Sequence, residues 1–247
     1  MPDPRFLPRR ELLLGAGALG LATAAPAGAM IRPPRGQTVW TFDRLDRIGG
    51  LPVKVEGQPT LISGPGGRAV LFDGIDDALF IDSHPLAGAG TFTFEAVFRP
   101  DGGPFEQRWF HLAESDPPAV PGAPPPTPSV TRFLFEIRVV EGGWYLDAFV
   151  RGPGYNKPLM APDKLHPLGV WAHVAQTYDG QTYRSFVNGE LQAQAPIAFT
   201  AQGPGRASIG VRMNRVNYFR GAVREARFTP RALAPEAFTM PRGLKAG

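Results

Sequence analysis

The sequence predicts an all-β fold, a two-sheet antiparallel β-sandwich of the jelly-roll kind. Short runs rich in Val, Phe, Tyr and Thr recur along the chain with turn residues between them. Glycine and proline supply 30 and 28 of the 247 residues, which suits many short strands joined by tight turns. No segment carries the apolar spacing of a long amphipathic helix. With 43% hydrophobic and only 19% charged residues, the chain has enough apolar surface for one sizeable core between two sheets.

Residues 1–29 stand apart from that fold. Arg9-Arg10 precede an apolar Gly/Ala-rich run from Leu12 to Ala25, and Ala27-Gly28-Ala29 offers the small residues a signal peptidase needs. The run is shorter than the roughly 20 apolar residues a membrane span requires. P-R-R-E-L-L-L resembles a twin-arginine export signal, with Pro8 where Ser or Thr is usual; an ordinary secretory signal is the alternative. Both readings predict an exported protein, periplasmic or extracellular, with no stable membrane span after cleavage. The chain has no cysteine, so disulfides and thiolate metal sites are excluded, and folding before export is unhindered. Removing residues 1–29, which hold three basic and two acidic side chains, lowers the net charge from +4 to +3. Residues 30–247 are expected to form a single domain.

Taken in order, Val39 to Phe42 reads as the opening strand. Ala69 to Phe72 and Ala78 to Ile81 read as a tight hairpin closed at Asp73-Gly74. From Thr91 to Arg99, Phe92, Phe94, Ala96 and Phe98 alternate with Thr93, Glu95, Val97 and Arg99, the period of a strand. Arg108 to Leu112 is the next strand. Pro117 to Pro128 holds seven prolines and must be an exposed loop. Phe133, Phe135, Ile137 and Val139 then alternate with Leu134, Glu136, Arg138 and Val140. After the turn at Glu141-Gly142-Gly143, Tyr145, Asp147 and Arg151 share one face of a strand running to Arg151, and Pro153 to Pro167 reads as an irregular loop. Trp171 to Gly189 carries two strands about Asp179-Gly180 and closes at Asn188-Gly189, both strong hairpin signals. Arg206 to Val211 and Tyr218 to Phe228 complete the strands, and P-R-A-L-A-P-E-A-F is one helical turn before the tail.

These segments carry a family pattern. F-D-G-I-D-D-A-L-F-I, F-T-F-E-A-V-F-R-P, W-A-H-V-A-Q-T-Y-D-G with V-N-G, S-I-G-V-R and Y-F-R-G-A-V-R-E-A-R-F-T-P-R-A-L follow one another in order. The chain thereby resembles the laminin-G-like, concanavalin A-like lectin/glucanase superfamily over about residues 38–238. The resemblance implies a jelly roll; it does not imply one activity, since the motifs are turns and core positions. Arg224 stands where the family often has Asp, and Val97 where it often has Trp.

Candidate chemistry is sparse. Laminarinase-like glucanases carry E-x-D-x-x-E; the corresponding E-I-R-V-V-E from Glu136 to Glu141 puts Arg138 in the central Asp position and Glu141 beside the turn. A fainter resemblance to alginate-lyase-like jelly rolls would cast Arg138 as neutraliser of a uronate carboxylate, with Tyr155 or His173 moving the proton. His173 reads more readily as a core-edge histidine with one satisfied hydrogen bond, and His84, His111 and His166 lack zinc-ligand spacing. Asp73, Asp76 and Asp77 read as an Asx-turn; Ca²⁺ is conceivable there, but no cofactor or metal is assigned. Seven arginines fall between Arg206 and Arg231, either a site for an anionic envelope polymer or a solvated face.

The residues favour an exported non-catalytic module that binds carbohydrate or another cell-envelope ligand on a polar, concave sheet face. Glu95, Arg99, Glu136, Arg138, Tyr145, Asp147 and Arg151 are the ligand-binding candidates, because each opposes an apolar alternate on its strand. The alternative is a glycoside hydrolase or polysaccharide lyase on the same face, with Glu136 and His173 as the candidate catalytic groups. A nucleic-acid partner is disfavoured by export and by the lack of any recognition motif.

Overall fold

The computed structural model describes residues 36–117, 121, 127–241 and 244, all within a compact unit spanning Pro34–Gly247. The export signal predicted over residues 1–29 and much of the Pro117–Pro128 loop lie outside the described residues. The opening strands are β1 Thr38–Thr41, β2 Arg47–Ile48, β3 Leu51–Pro52, β4 Lys54–Glu56, β5 Thr60–Gly64 and β6 Gly67–Asp73. There follow β7 Ala78–Ile81, β8 Phe92–Pro100, β9 Glu106–Glu114, β10 Arg132–Val140, β11 Gly143–Gly152 and β12 Tyr155–Met160. Then come β13 Ala172–Tyr178, β14 Thr182–Val187, β15 Glu190–Pro196, β16 Gly205–Ile209 and β17 Arg220–Thr229. A 3₁₀ turn at Pro235–Ala237 follows, where one helical turn is predicted. No helix among the described residues is long and apolar enough to cross a membrane.

The first sheet runs β15-β14-β13-β8-β17-β6-β5 with β1 on β17; the second runs β12-β11-β10-β9-β16-β7-β4. All the pairings are antiparallel, as the all-β sandwich requires. The alternating phenylalanines form the core: Phe92, Phe94 and Phe98 from the first sheet meet Trp109, Phe110, Phe133 and Phe135 from the second, all fully buried. Phe94 and Phe135 stack across the sandwich with ring centroids 3.8 Å apart.

Three local readings change. The stretch F-D-G-I-D-D-A-L-F-I is a corner between sheets, not a hairpin: β6 pairs with β5 and β17, β7 with β4 and β16. The side chains of the turn explain why. Asp73 Oδ1 accepts the Ile75 N–H at 2.8 Å, and the Asp77 carboxylate accepts the N–H groups of Gln58 and Asp73 at 2.6 and 3.0 Å, so the chain is held open rather than folded back. The predicted irregular loop from Pro153 contains β12. Pro158 is tolerated because β12 is an edge strand paired only with β11. Finally, Asn188 and Gly189 both take positive φ in a two-residue turn, whereas at Asp179-Gly180 only the glycine does. There the Asp179 carboxylate holds the turn by accepting the Gln181 and Thr182 N–H groups at 2.9 and 2.8 Å.

Candidate ligand site on the outer face of the second sheet

On β10 and β11 the residues that alternate with the core point away from the sandwich. Register sets Glu136 opposite Asp147 and Arg138 opposite Tyr145. On the other side of β10, a shift between Phe135 and Glu136 skips one residue of β9. Trp109 and Phe110 therefore both enter the core, and Arg108 comes directly beside Glu136.

The result is a compact ion cluster. Arg108 donates from Nε to Glu136 Oε1 and from Nη1 to Glu106 Oε2, each at 2.8 Å. Arg138 reaches Glu106 Oε1 at 2.7 Å, Glu136 Oε2 at 3.2 Å and Asp147 Oδ2. The Glu136 and Asp147 side chains are only 4% and 3% exposed, so water screens them little. Burial, against the neighbouring Arg108, pushes the Glu136 carboxyl up to about 7, and Asp147 across the strand pair adds to the rise. Glu106, at the open edge of the cluster, moves the other way because Arg108 bonds its charged form.

This shift has a pH signature. A carboxyl raised from its ordinary 4.5 to about 7 binds its proton more tightly folded than unfolded, so stability is gained as pH falls through that window and lost as pH rises through 7. We expect unfolding at pH 5 to require on the order of 2–3 kcal/mol more than at pH 8, and Glu136→Gln to remove most of that difference. Urea titrations at the two pH values check it; an unchanged slope in the variant contradicts it.

Beside the cluster lies a depression of about 320 Å³, lined by Leu134, Phe149, Pro158, Met160, Arg132 and Arg212 together with Arg108, Glu136, Arg138 and Asp147 of the cluster. Phe149, Pro158 and Met160 give it an apolar shelf next to fixed polar groups, the composition of a site for a ligand with one apolar and one hydroxylated face.

Of the seven predicted ligand-binding residues, Glu136, Arg138, Tyr145, Asp147 and Arg151 share this face. Glu95 and Arg99 do not: both are on β8, in the other sheet. Glu95 is 1% exposed, accepting the Thr239 N–H at 2.5 Å and facing His173 Nε2 at 3.2 Å. Arg99 pairs with Asp101 at 2.7 Å and stacks over Trp171. His173 is fully buried beside Phe238, with no room for a substrate, which removes it as a candidate base. Strand parity identified the side away from the core but not that the C-terminal segment covers it. Tyr155 is likewise remote from Arg138, its hydroxyl donating to the Thr200 carbonyl at 3.1 Å and pushed up to about 12 by burial. Glu141 is exposed in the turn, outside the cluster.

Sequence reasoning missed Glu106, Arg108 and the apolar shelf. The two-residue spacing of Glu106 and Arg108 ahead of Trp109 was the available signal; the bulge that brings Arg108 to Glu136 leaves no mark in composition. Asp73, Asp76 and Asp77 can each offer one oxygen within 4.8 Å of the others, but those of Asp73 and Asp77 already serve the corner as N–H acceptors. The seven arginines disperse. Arg215 binds Glu56 through two bonds of 2.7 Å, and Arg227 binds Glu225 at 2.7 Å. Arg224 is the bulged residue of β17 and donates to the Gly66 carbonyl at 3.1 Å.

A family model described as the concanavalin A-like lectin/glucanases superfamily matches residues 73–237. The chain belongs to that superfamily. Solved structures agree on the superfamily fold. Domain 4 of AbnA, a GH43 extracellular arabinanase from Geobacillus stearothermophilus seen in complex with arabinotriose, is 17% identical with a TM-score of 0.56, covering 81% of this chain and 95% of that one. The binding domain of Paraclostridial Mosquitocidal Protein 1 is 11% identical with a TM-score of 0.55, covering 81% and 50%. The NanB sialidase of Streptococcus pneumoniae is 16% identical with a TM-score of 0.54, covering 72% and 28%. The chain thus spans half or less of the last two, and at these identities the likeness is one of fold. No curated protein matches the sequence.

Proposed function

We propose that the chain is a non-catalytic carbohydrate-binding module acting on the outer face of its second sheet, exported to the periplasm or the exterior. The observation that carries this reading is the juxtaposition of the Phe149, Pro158 and Met160 shelf with the fixed polar groups of Arg108, Glu136, Arg138 and Asp147 in one depression. Sugars present an apolar ring face and a rim of hydroxyls, and such a surface meets both at once. The arabinotriose held by the arabinanase domain supports a saccharide ligand for a sandwich of this kind. The leader sequence supports export.

A second reading has one observation in its favour: Glu136, raised to about 7 by burial beside a second carboxyl, would hold a proton near neutral pH as a general acid must. Against it, both carboxylates are held by arginines rather than open to a substrate.

A glycan array, with neutral and uronic polysaccharides assayed for new reducing ends and unsaturated products, separates the two. The expected result is binding without product, weakened about tenfold by Phe149→Ala. Product formation abolished by Glu136→Gln would establish the enzyme instead. Neither binding nor product would overturn both.

A further inference from the structure

Charge on this face does not cancel along its length. Arg108 and Arg138 are matched by Glu106, Glu136 and Asp147. Toward the other end of β10 stand Arg132, Arg151 and Arg212, for which the described residues supply no salt bridge. Register sets Arg132 opposite Arg151, and the turn closed by the Arg215 N–H on the Arg212 carbonyl at 2.7 Å brings Arg212 to the same depression. Arg132 donates to the Val130 carbonyl at 2.9 Å, lies over the Phe149 ring at 5.3 Å, and has a buried Nε without any partner.

His111 lies on the neighbouring strand, opposite Leu134, and is 3% exposed. Its Nδ1 accepts the Met213 N–H at 2.9 Å, which leaves the ring proton on Nε2, and that N–H has no acceptor. Burial, with Arg212 and then Arg132 pressing on it, pushes its pKa down to about 3, so the ring adds no charge of its own. Arg132 is pulled down by burial and by Arg212 and Arg151. Arg132 and Arg212 line this end of the depression without a salt bridge of their own, and the carboxylate that partly offsets Arg132, Glu136, is already paired with Arg108. Such an arrangement is costly alone and is relieved by an anion.

We infer that this end of the depression is a subsite for the anionic substituent of a glycan, a uronate carboxylate or a sulfate ester, held by Arg132 and Arg212. The placement follows from the lining: a sugar ring against Pro158 and Met160 lies in the same depression as Arg132 and Arg212, within which its exocyclic group meets their guanidinium groups. The inference rests on the carbohydrate-binding reading and specifies its ligand as charged.

The test compares each charged polymer with its neutral counterpart on the full chain: polygalacturonate against fully methyl-esterified pectin, and dextran sulfate against dextran. One charged member is expected to bind at least about tenfold more tightly than its neutral partner, with affinity falling as salt is raised. Which pair shows the difference separates carboxylate from sulfate. Arg132→Gln and Arg212→Gln should each erase that preference; Arg68→Gln, an exposed arginine on the other sheet, should leave it intact. Arg212→Gln lies outside the strands and keeps the test valid if Arg132→Gln folds poorly. Equal binding of charged and neutral polymers overturns this inference and spares the binding reading. Preference that survives both arginine variants, or falls equally in Arg68→Gln, also overturns it. No binding by any polymer removes both.

Discussion

Replacing Arg138 by methionine is expected to cost about 3–5 kcal/mol of folding stability at pH 7.5, the range for stranding a buried charge. Arg138 is 11% exposed and is the side chain that joins Glu106, Glu136 and Asp147. Glu136 would keep Arg108 at 2.8 Å, but Asp147 would keep nothing: its Oδ2 faces Arg138 and its Oδ1 is already buried without a partner. Methionine preserves much of the stem's packing, so the loss reports on charge. Two controls follow. Lowering the pH protonates Glu136, whose carboxyl is raised to about 7, so its share of the penalty should shrink toward pH 5. Adding Asp147→Asn should restore part of the loss, a coupling read by a double-mutant cycle in urea. A penalty under about 1 kcal/mol, or no coupling, would show that the cluster is solvated and contributes as little as a surface pair.

Phe94→Ala is expected to cost about 3–5 kcal/mol as well, through a cavity. Phe94 is fully buried at the centre of the sandwich, 3.8 Å from the Phe135 ring, 5.5 Å from Phe110 and Phe228, and 5.9 Å from Trp109. These neighbours come from both sheets and cannot all collapse into the space, because each is fixed by its own strand register. Ile75→Ala serves as the comparison: Ile75 is 73% exposed in the corner after β6 and should change stability by less than about 0.5 kcal/mol. Equilibrium unfolding of the two variants side by side measures the difference. A Phe94→Ala protein as stable as Ile75→Ala would mean that the core repacks freely.

The strands of the site were legible because their signal is local. Phe133 to Val140 and Trp144 to Arg151 alternate strictly, and the structure faces Glu136, Arg138, Tyr145, Asp147 and Arg151 outward as that alternation demands. The same rule applied to β8 correctly turned Glu95 and Arg99 away from the core, yet grouped them with residues of the opposite sheet. Period 2 relates a side chain to its own sheet and carries no information about which sheet that is.

By itself, the sequence determined the class of fold, most strand positions, the inward phenylalanines and the turns at Asp179-Gly180 and Asn188-Gly189. Those features depend on backbone preferences and burial over a few residues. Only the tertiary structure decided that β6 and β7 belong to different sheets, that Phe238 and Thr239 cover His173 and Glu95, and that a bulge sets Arg108 against Glu136. The outcome at each of these places hangs on pairing between segments far apart in the chain. A candidate functional face emerges only when such pairings leave polar alternates uncovered, as they do on the outer side of β9 to β12.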